Sequence, residues 1–134
     1  MKQLCYLTVA LAVLAVTGCQ NSVVKHKAKL EAQWKIQIRA LASGDKAAFE
    51  SVLNASTKAQ PNKVNATFGI VNGLAKALKI TENDVRIENV EFNPDFTLAT
   101  VKTAYKAPKE PSGWKAFDSP EIWVWEKGQW LRQL

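Results

Sequence analysis

The chain has 134 residues and a formal net charge of +6, with 18 Lys and Arg against 12 Asp and Glu. Two cysteines and a single histidine are too few for the usual zinc and iron–sulfur ligand sets, so we expect neither a metal nor a cofactor. The length suits one small domain behind a leader.

The first segment has the order of a secretory signal. A short positive start, Met1 to Gln3, precedes an apolar run from Leu4 to Val16, and small residues follow it. This order is typical of a secretory signal, and the run is shorter than the ~20 residues of a membrane-spanning helix. The alternative is an ordinary buried helix. We expect residues 1–18 to be a signal peptide that takes Cys5 away when it is removed.

The segment Val16-Thr17-Gly18-Cys19 resembles the lipobox of bacterial lipoproteins. The resemblance implies cleavage between Gly18 and Cys19 and a thioether-linked diacylglycerol on Cys19. One acyl chain anchors a protein only marginally, whereas two or more hold it firmly. The alternative is a secreted protein with an unmodified thiol at Cys19. In the mature chain Cys19 would be the sole cysteine, so no disulfide within the domain is expected.

The expected location of the protein is the bacterial cell envelope. Gln20 in the second mature position resembles the default for outer-membrane sorting, so in a Gram-negative cell the protein would face the periplasm. We expect residues 19–24 to be a lipidated tether and residues 25–134 to form the domain. A nucleic-acid partner is not expected, because the expected location is extracytoplasmic and the sequence has no basic–aromatic motif.

A basic stem follows the expected tether and consists of Lys25, His26, Lys27 and Lys29. These residues would either touch anionic lipid headgroups or form a solvated stem. We favour the solvated stem, and for His26 in particular we expect a solvated side chain.

Helical spacing continues from the stem. The apolar residues of the first helix are three or four positions apart, which places them on one face: Leu30, Trp34, Ile38 and Leu41. Gly44 is expected to end this helix and Asp45 to cap the next. The second helix has an apolar stripe of Phe49, Val52 and Leu53.

A loop and a third helix come next. Ser56 to Lys63 contains Pro61 and is predicted to be a loop. The third helix is predicted from about Asn65 to Leu78. Its expected inward residues are Phe68, Val71, Leu74, Ala75 and Leu78.

The spacing of the apolar residues then changes to the alternation that is typical of strands. Val85 to Phe92 is predicted to be a strand with a slip at Glu88-Asn89, the position of a β-bulge. Asn93-Pro94-Asp95 is a turn, and Phe96 to Tyr105 is the strand that pairs back. Lys106 to Pro120 is predicted to be a long loop.

The last hairpin runs from Glu121 to Trp125 and from Gln129 to Leu134, with a turn at Lys127-Gly128. A two-residue loop would pair Trp125 with Trp130. A type I turn with a glycine bulge would shift that register by one, and the sequence does not decide between them.

This order predicts an α+β fold with N-terminal helices packed on one face of a curved antiparallel sheet of about four strands. The segments A40-L-A-S-G-D-K-A-A-F-E-S-V-L53 and E121-I-W-V-W-E-K-G-Q-W-L-R132 resemble the NTF2-like superfamily. The resemblance implies a cystatin-like cone of bent sheet around helices, open at one end to a pocket. Its members include enzymes and non-catalytic binding domains. The sequence does not decide whether the pocket is open or filled.

Aromatic residues concentrate near the C-terminus. Trp123 and Trp125 share one face of a strand, since alternate residues point to the same side. They either fill the core against Trp34 or line a binding surface, where tryptophans are common anchors. The candidate binding residues are Trp114, Phe117, Tyr105, Trp123 and Trp125. Trp114 is the best of them, because it is expected in a loop rather than in a strand.

No catalytic motif is evident. Isomerase-like members of the superfamily use a pocket carboxylate with a tyrosine or acid, and the available side chains are Tyr105, Asp118, Glu121 and Asp95. We expect no catalytic residue. The expected function is a lipid-anchored, non-catalytic domain that binds an envelope protein or a small apolar ligand. The alternatives are a small isomerase- or hydrolase-like enzyme and a structural envelope lipoprotein.

Overall fold

The computed structural model describes the backbone of residues 2–134 and the side chains of residues 21–134. The helices are α1 Lys2–Ser43, α2 Lys46–Ser51, α3 Ala55–Lys58 and α4 Pro61–Ala77, followed by a 3-10 turn, Glu82–Asp84. The strands are β1 Val85–Phe92, β2 Leu98–Lys106, β3 Trp114–Ala116, β4 Glu121–Glu126 and β5 Gln129–Gln133. The α+β class is confirmed, and the antiparallel sheet has five strands rather than about four.

Cys19 and the whole expected signal segment, residues 1–18, lie outside the part of the chain whose side chains are described, so lipidation and cleavage stay predictions. Residues 21–24, expected to belong to a tether, are helical. No glycine or proline interrupts the chain between Gly18 and Gly44, so nothing in the sequence ends the helix before Ser43.

The junction between α1 and α2 forms as predicted. Gly44 has φ +82°, a left-handed conformation that costs glycine little, and its N–H donates to the Ala40 carbonyl at 2.9 Å. Asp45 then caps α2, because its side chain accepts from the Ala48 N–H at 3.0 Å. The predicted apolar stripe of α2 and the residues after it is buried: Phe49, Val52 and Leu53.

The predicted loop between Ser56 and Lys63 is wrong. Residues 55–58 form α3, whose N-cap Asn54 accepts from the Thr57 N–H at 3.1 Å. Pro61 begins α4 rather than breaking it. Proline is well suited to the first position of a helix, where its missing N–H would have no partner in any case.

The predicted inward face of α4 is only partly right. Ala75 is buried and Phe68 half-buried, but Val71, Leu74 and Leu78 are exposed. Apolar residues extend around more than half of α4, and only the arc that faces α1 and α2 is covered. This covered arc consists of Val64, Phe68, Asn72 and Ala75, and Asn72 donates from Nδ2 to the Leu41 carbonyl at 2.7 Å.

The sheet has the order β1-β2-β4-β5. The long strand β2 pairs with β1 along one side, and its other side is shared between β4 and β3. The predicted loop Lys106–Pro120 therefore contains a short strand, and Trp114 begins that strand instead of lying at a loop tip. Residues 52–54 run beside the free edge of β5, where the Arg132 N–H donates to the Val52 carbonyl at 2.7 Å. This contact protects the edge from pairing with other chains.

Two details of register match the sequence. The β1–β2 register shifts between Ile87 and Asn89, which makes Glu88 the predicted bulge. In the last hairpin Lys127 has φ +50° and Gly128 has φ +79°, as a type I′ turn requires. That two-residue turn pairs Trp125 with Trp130.

The interior has two parts. The sheet core lies between α1 and the sheet and consists of Leu30, Trp34, Ala99, Val101, Trp123 and Trp130. The helical core lies between α1, α2 and α4 and consists of Ala40, Phe49, Leu53 and Val64. Three tryptophans and a leucine therefore fill the space where an open pocket between helix and sheet would lie.

Candidate functional site

A cleft of about 550 Å³ lies where α1, the 3-10 turn and β1 meet. Its more buried lining is apolar and consists of Trp34, Ile38, Val85 and Ile87. Its charged lining consists of Glu31, Lys35, Arg39, Glu82 and Arg86, and Asn83 and Trp114 complete it. The cleft therefore has an apolar base and a charged rim, with as many charged residues as apolar and aromatic ones.

Helical spacing places the α1 residues that line the cleft on one side of the helix. Glu31, Lys35 and Ile38 are four and three residues apart, and so they lie on one side of α1. Strand alternation does the same on the other side, because Val85 and Ile87 point to one face of β1. The 3-10 turn that joins α4 to β1 places Asn83 at the end of the cleft.

Trp114 is held at this cleft by a cation. The guanidinium carbon of Arg86 lies 4.2 Å from the centroid of the Trp114 ring. The same guanidinium pairs with Glu88 at 2.8 Å, so two contacts fix its orientation. Such a cation–π contact is worth about 0.5–1 kcal/mol at an exposed site. The Trp114 ring is therefore half-buried and fixed in position while it still lines the cleft.

Trp34 contributes a buried indole ring to the lining. Its side chain is 6% exposed, and its indole Nε1 has no hydrogen-bond partner among the described residues. A buried N–H without a partner carries a desolvation cost that an acceptor would remove.

The turn that borders the cleft is fixed by Asp84. Its carboxylate accepts from the Thr81 N–H at 2.8 Å and from the Thr81 hydroxyl at 2.9 Å. These hydrogen bonds, the backbone one first, hold the pKa of Asp84 below its ordinary value, and Lys106 at 3.5 Å acts in the same direction. Burial opposes the shift only in part.

The five candidate binding residues occupy three separate places. Trp114 lines the cleft. Tyr105 and Phe117 contact each other, with ring centroids 4.9 Å apart, and neither lines the cleft. Trp123 is fully buried in the sheet core, and Trp125 packs at its edge. Strand pairing therefore separates these aromatic residues and does not gather them at one surface.

His26 is not a solvated stem residue. Its ring stacks on Phe96 at 4.6 Å and lies edge-on to Trp125 at 4.9 Å and to Trp130 at 5.6 Å. We call this group, with Phe92, the His26 ring cluster. His26 lies one helical turn before Leu30, and so α1 places it against the sheet. Its position within a run of lysines had instead indicated a solvated side chain.

Glu121, a candidate carboxylate, belongs to the core network rather than to the cleft. It accepts from Gln37 Nε2 at 2.9 Å and from Trp123 Nε1 at 3.2 Å. Arg132 Nε lies 3.9 Å away. Burial lowers the pKa of the Arg132 guanidinium, and the Glu121 charge opposes that shift. The network joins α1 to β4 and β5.

Only part of the cleft lining could be predicted from the sequence. Trp114 is the best candidate in the sequence, but Arg86, which contacts it, and the lining residues Val85 and Ile87 are predicted only as parts of an ordinary strand. The contact between Arg86 and Trp114 links residues 28 positions apart, and only the β1–β2–β3 pairing brings them together. Trp34 was placed in the core, where it also lies.

Within residues 21–134, His, Cys, Asp and Glu side chains do not gather in threes as metal ligands would. In the same part of the chain, no helix is long and apolar enough to cross a membrane. The chain matches no protein-family model, no curated protein and no solved structure.

Proposed function

We propose that this chain is a lipid-anchored envelope protein whose NTF2-like domain binds a ligand or a partner segment in the Trp114 cleft without catalysis. The anchor rests on the likeness of Val16 to Cys19 to a lipobox. The binding role rests on one observation: the Trp114 ring stacks on Arg86 beside a cleft of about 550 Å³ whose base is apolar.

The composition of the cleft favours an occupant with an apolar body and a polar or charged group. Ile38, Val85 and Ile87 offer aliphatic contact, and charged side chains such as Glu31 and Lys35 border them. A small, largely apolar ligand with a polar group fits these features, and so does a peptide segment of an envelope protein. A fixed tryptophan loses little side-chain entropy on binding, which is why such residues act as anchors.

The two carboxylates at the cleft favour binding over catalysis. Glu31 and Glu82 have side chains 42% and 43% exposed, and each lies beside a cation of its own, Lys27 or Arg39. A catalytic base is usually more enclosed and is directed at the reacting group. We therefore prefer the binding role to the enzymatic one.

A photo-crosslinking residue at Asn83 tests the cleft in living cells. Asn83 lines the cleft, whereas Asn89 is an exposed asparagine of β1 that does not line it, and so it is the matched control position. We expect a specific adduct from position 83 and none from position 89. Equal adducts from both positions, or none from position 83, would contradict the binding role.

The mass of the mature protein tests the anchor. We expect a chain that begins at Cys19 and carries a diacylglycerol, and Cys19→Ala should stop processing. An unacylated wild-type product released from the membrane would rule out the anchor, whatever the crosslinking shows.

A further inference from the structure

The two edges of the sheet differ in what covers them. Residues 52–54 run beside β5, whereas no backbone segment in the described part of the chain pairs with the outer side of β1. An uncovered edge strand presents unpaired N–H and C=O groups that another chain can pair with. We call the outer side of β1 from Val85 to Ile87 the β1 edge.

The pairing of β2 shows which backbone groups of β1 point outward. The Thr103 carbonyl accepts a hydrogen bond from the residue that follows β3, so Thr103 points away from β1. Backbone groups alternate sides along a strand, so Ala104 points toward β1. Arg86 lies opposite Ala104 and pairs with it. Its neighbours Val85 and Ile87 therefore direct their N–H and C=O groups outward, at the β1 edge.

The same two residues form part of the apolar base of the Trp114 cleft. The side chains of Val85 and Ile87 pack against the sheet core, and Ile38 of α1 lines the cleft with them. The β1 edge and the cleft are therefore continuous. Outward groups two residues apart in a strand are about 7 Å apart, which is the repeat of an extended peptide backbone. A strand added at this edge would place every second side chain in the cleft.

The rim of the cleft contains one cation that has no counter-charge. The other four charged lining residues each lie beside a residue of opposite charge: Glu31 beside Lys27, Glu82 and Arg39 beside each other, and Arg86 beside Glu88. Lys35 forms no ion pair with the residues that the structure describes. An acidic side chain on the occupant would give Lys35 a partner, and such complementarity favours one class of partner over others.

From the β1 edge and the charge of Lys35 we propose that the Trp114 cleft binds an extended peptide with an acidic side chain, which pairs with β1 as an additional strand. This inference rests on the binding role proposed for the cleft and specifies its occupant. The bulge at Glu88 interrupts the edge, so backbone pairing is confined to Val85 and Ile87. Side chains of the peptide in the cleft supply the rest of the affinity.

A library of random peptides of about eight residues, displayed on phage and selected on the full chain in lipid nanodiscs, supplies the probe. We expect the enriched peptides to carry an acidic residue among alternating apolar ones. Amide hydrogen exchange then locates the bound peptide, which should protect the Val85 and Ile87 N–H groups. Val90 and Phe92 are the internal control, because their N–H groups also point outward by the same alternation and neither residue lines the cleft.

Two ester substitutions test the backbone pairing without changing a side chain. Val85→α-hydroxyvaline removes the N–H donor at the β1 edge, and Val90→α-hydroxyvaline removes the corresponding donor beyond the bulge. Because one hydrogen bond is lost, the first substitution should weaken binding of a selected peptide about fivefold. The second should leave the affinity unchanged.

Two lysine substitutions test the charge. Lys35→Gln should weaken a selected peptide about threefold, as expected for an exposed ion pair. Lys102→Gln replaces an exposed lysine of β2 that does not line the cleft, and it should leave the affinity unchanged.

Three results would overturn the proposal. The library could yield no binding peptide, or a selected peptide could leave exchange at Val85 and Ile87 unchanged. In the third case these N–H groups would become protected as the protein concentration rises without peptide, and the β1 edge would then pair with a second copy. Each result leaves the binding role of the cleft intact if position 83 still captures a specific species in cells. Absence of that adduct would instead contradict the binding role itself.

Discussion

At the scale of single residues, the charge of His26 depends on how its ring packs. Burial among the rings, followed by the nearby positive charge of Lys29, lowers its pKa below the ordinary value of 6.5. Lys29 also places its ammonium 5.3 Å from the Trp125 ring centroid. The rings therefore favour a neutral imidazole, and protonation would weaken the contact between α1 and the sheet.

The only histidine of the chain gives an unambiguous NMR titration. We expect an apparent pKa for His26 below 6.5. Since the folded-state pKa is the lower one, the contribution to stability is fully present above pH 6.5 and is lost as the pH falls through the folded value. His26→Phe should remove this part of the pH dependence of the unfolding free energy. A measured pKa of 6.5 or above would show that the ring cluster does not shield the imidazole.

The Glu121 network gives a second prediction at this scale. The side chains of Glu121 and Arg132 are 16% and 17% exposed, so Glu121→Gln leaves a largely buried guanidinium without its counter-charge. We expect a loss of about 3 kcal/mol in the free energy of unfolding, measured by chemical denaturation.

The matched control is Glu50→Gln, which breaks an exposed pair with Lys46 and should cost less than about 0.5 kcal/mol. Equal losses from the two variants would mean that burial does not strengthen the Glu121 pair.

At the scale of elements, the turn between β4 and β5 sets the register of the aromatic hairpin. Asparagine tolerates the first position of a type I′ turn better than lysine does. Lys127→Asn should therefore stabilise the protein by about 0.5 kcal/mol. Gly128→Ala forces a Cβ into the left-handed region and should destabilise it by about 1 kcal/mol. Thermal unfolding of the two variants should therefore shift in opposite directions, and a shift in the same direction would contradict the turn assignment.

Elements specified by local chemistry could be predicted from the sequence. Gly44 and Asp45 end one helix and begin the next through backbone preferences within a few residues. The bulge at Glu88 was predicted from a break in alternation. Pro61 was misjudged because proline both ends helices and begins them, and only the hydrogen bonds around α3 distinguish the two cases. The strand at Trp114 depends on pairing with β2, a contact that no local pattern contains.

The outer side of α4 shows a different limit of sequence reasoning. Helical periodicity identifies which residues share a face, and for α4 two adjacent arcs are both apolar. Which arc is covered depends on how α4 crosses α1, fixed by contacts such as that of Asn72 with Leu41. Leu74 and Leu78 were therefore expected to point inward and instead face outward.

At the scale of the whole molecule, the aromatic residues divide into structural and exposed groups. Trp123 and Trp130 fill the sheet core, while Trp114 remains at the cleft that α1 and β1 form together. The sequence could suggest Trp114 but not the cleft, because its walls come from residues more than 40 positions apart. Binding at that cleft is the central claim about this protein.

The most direct test of that claim is the crosslinking yield from position 83 in Trp114→Ala, with Phe117→Ala as the matched aromatic control. Phe117 is 48% exposed and contacts Tyr105 outside the cleft. Loss of an anchoring tryptophan typically costs 2 kcal/mol or more, so Trp114→Ala should lower the affinity for the captured species at least about 30-fold. Phe117→Ala should change that affinity less than about twofold. Unchanged capture by a stably folded Trp114→Ala protein would contradict the account.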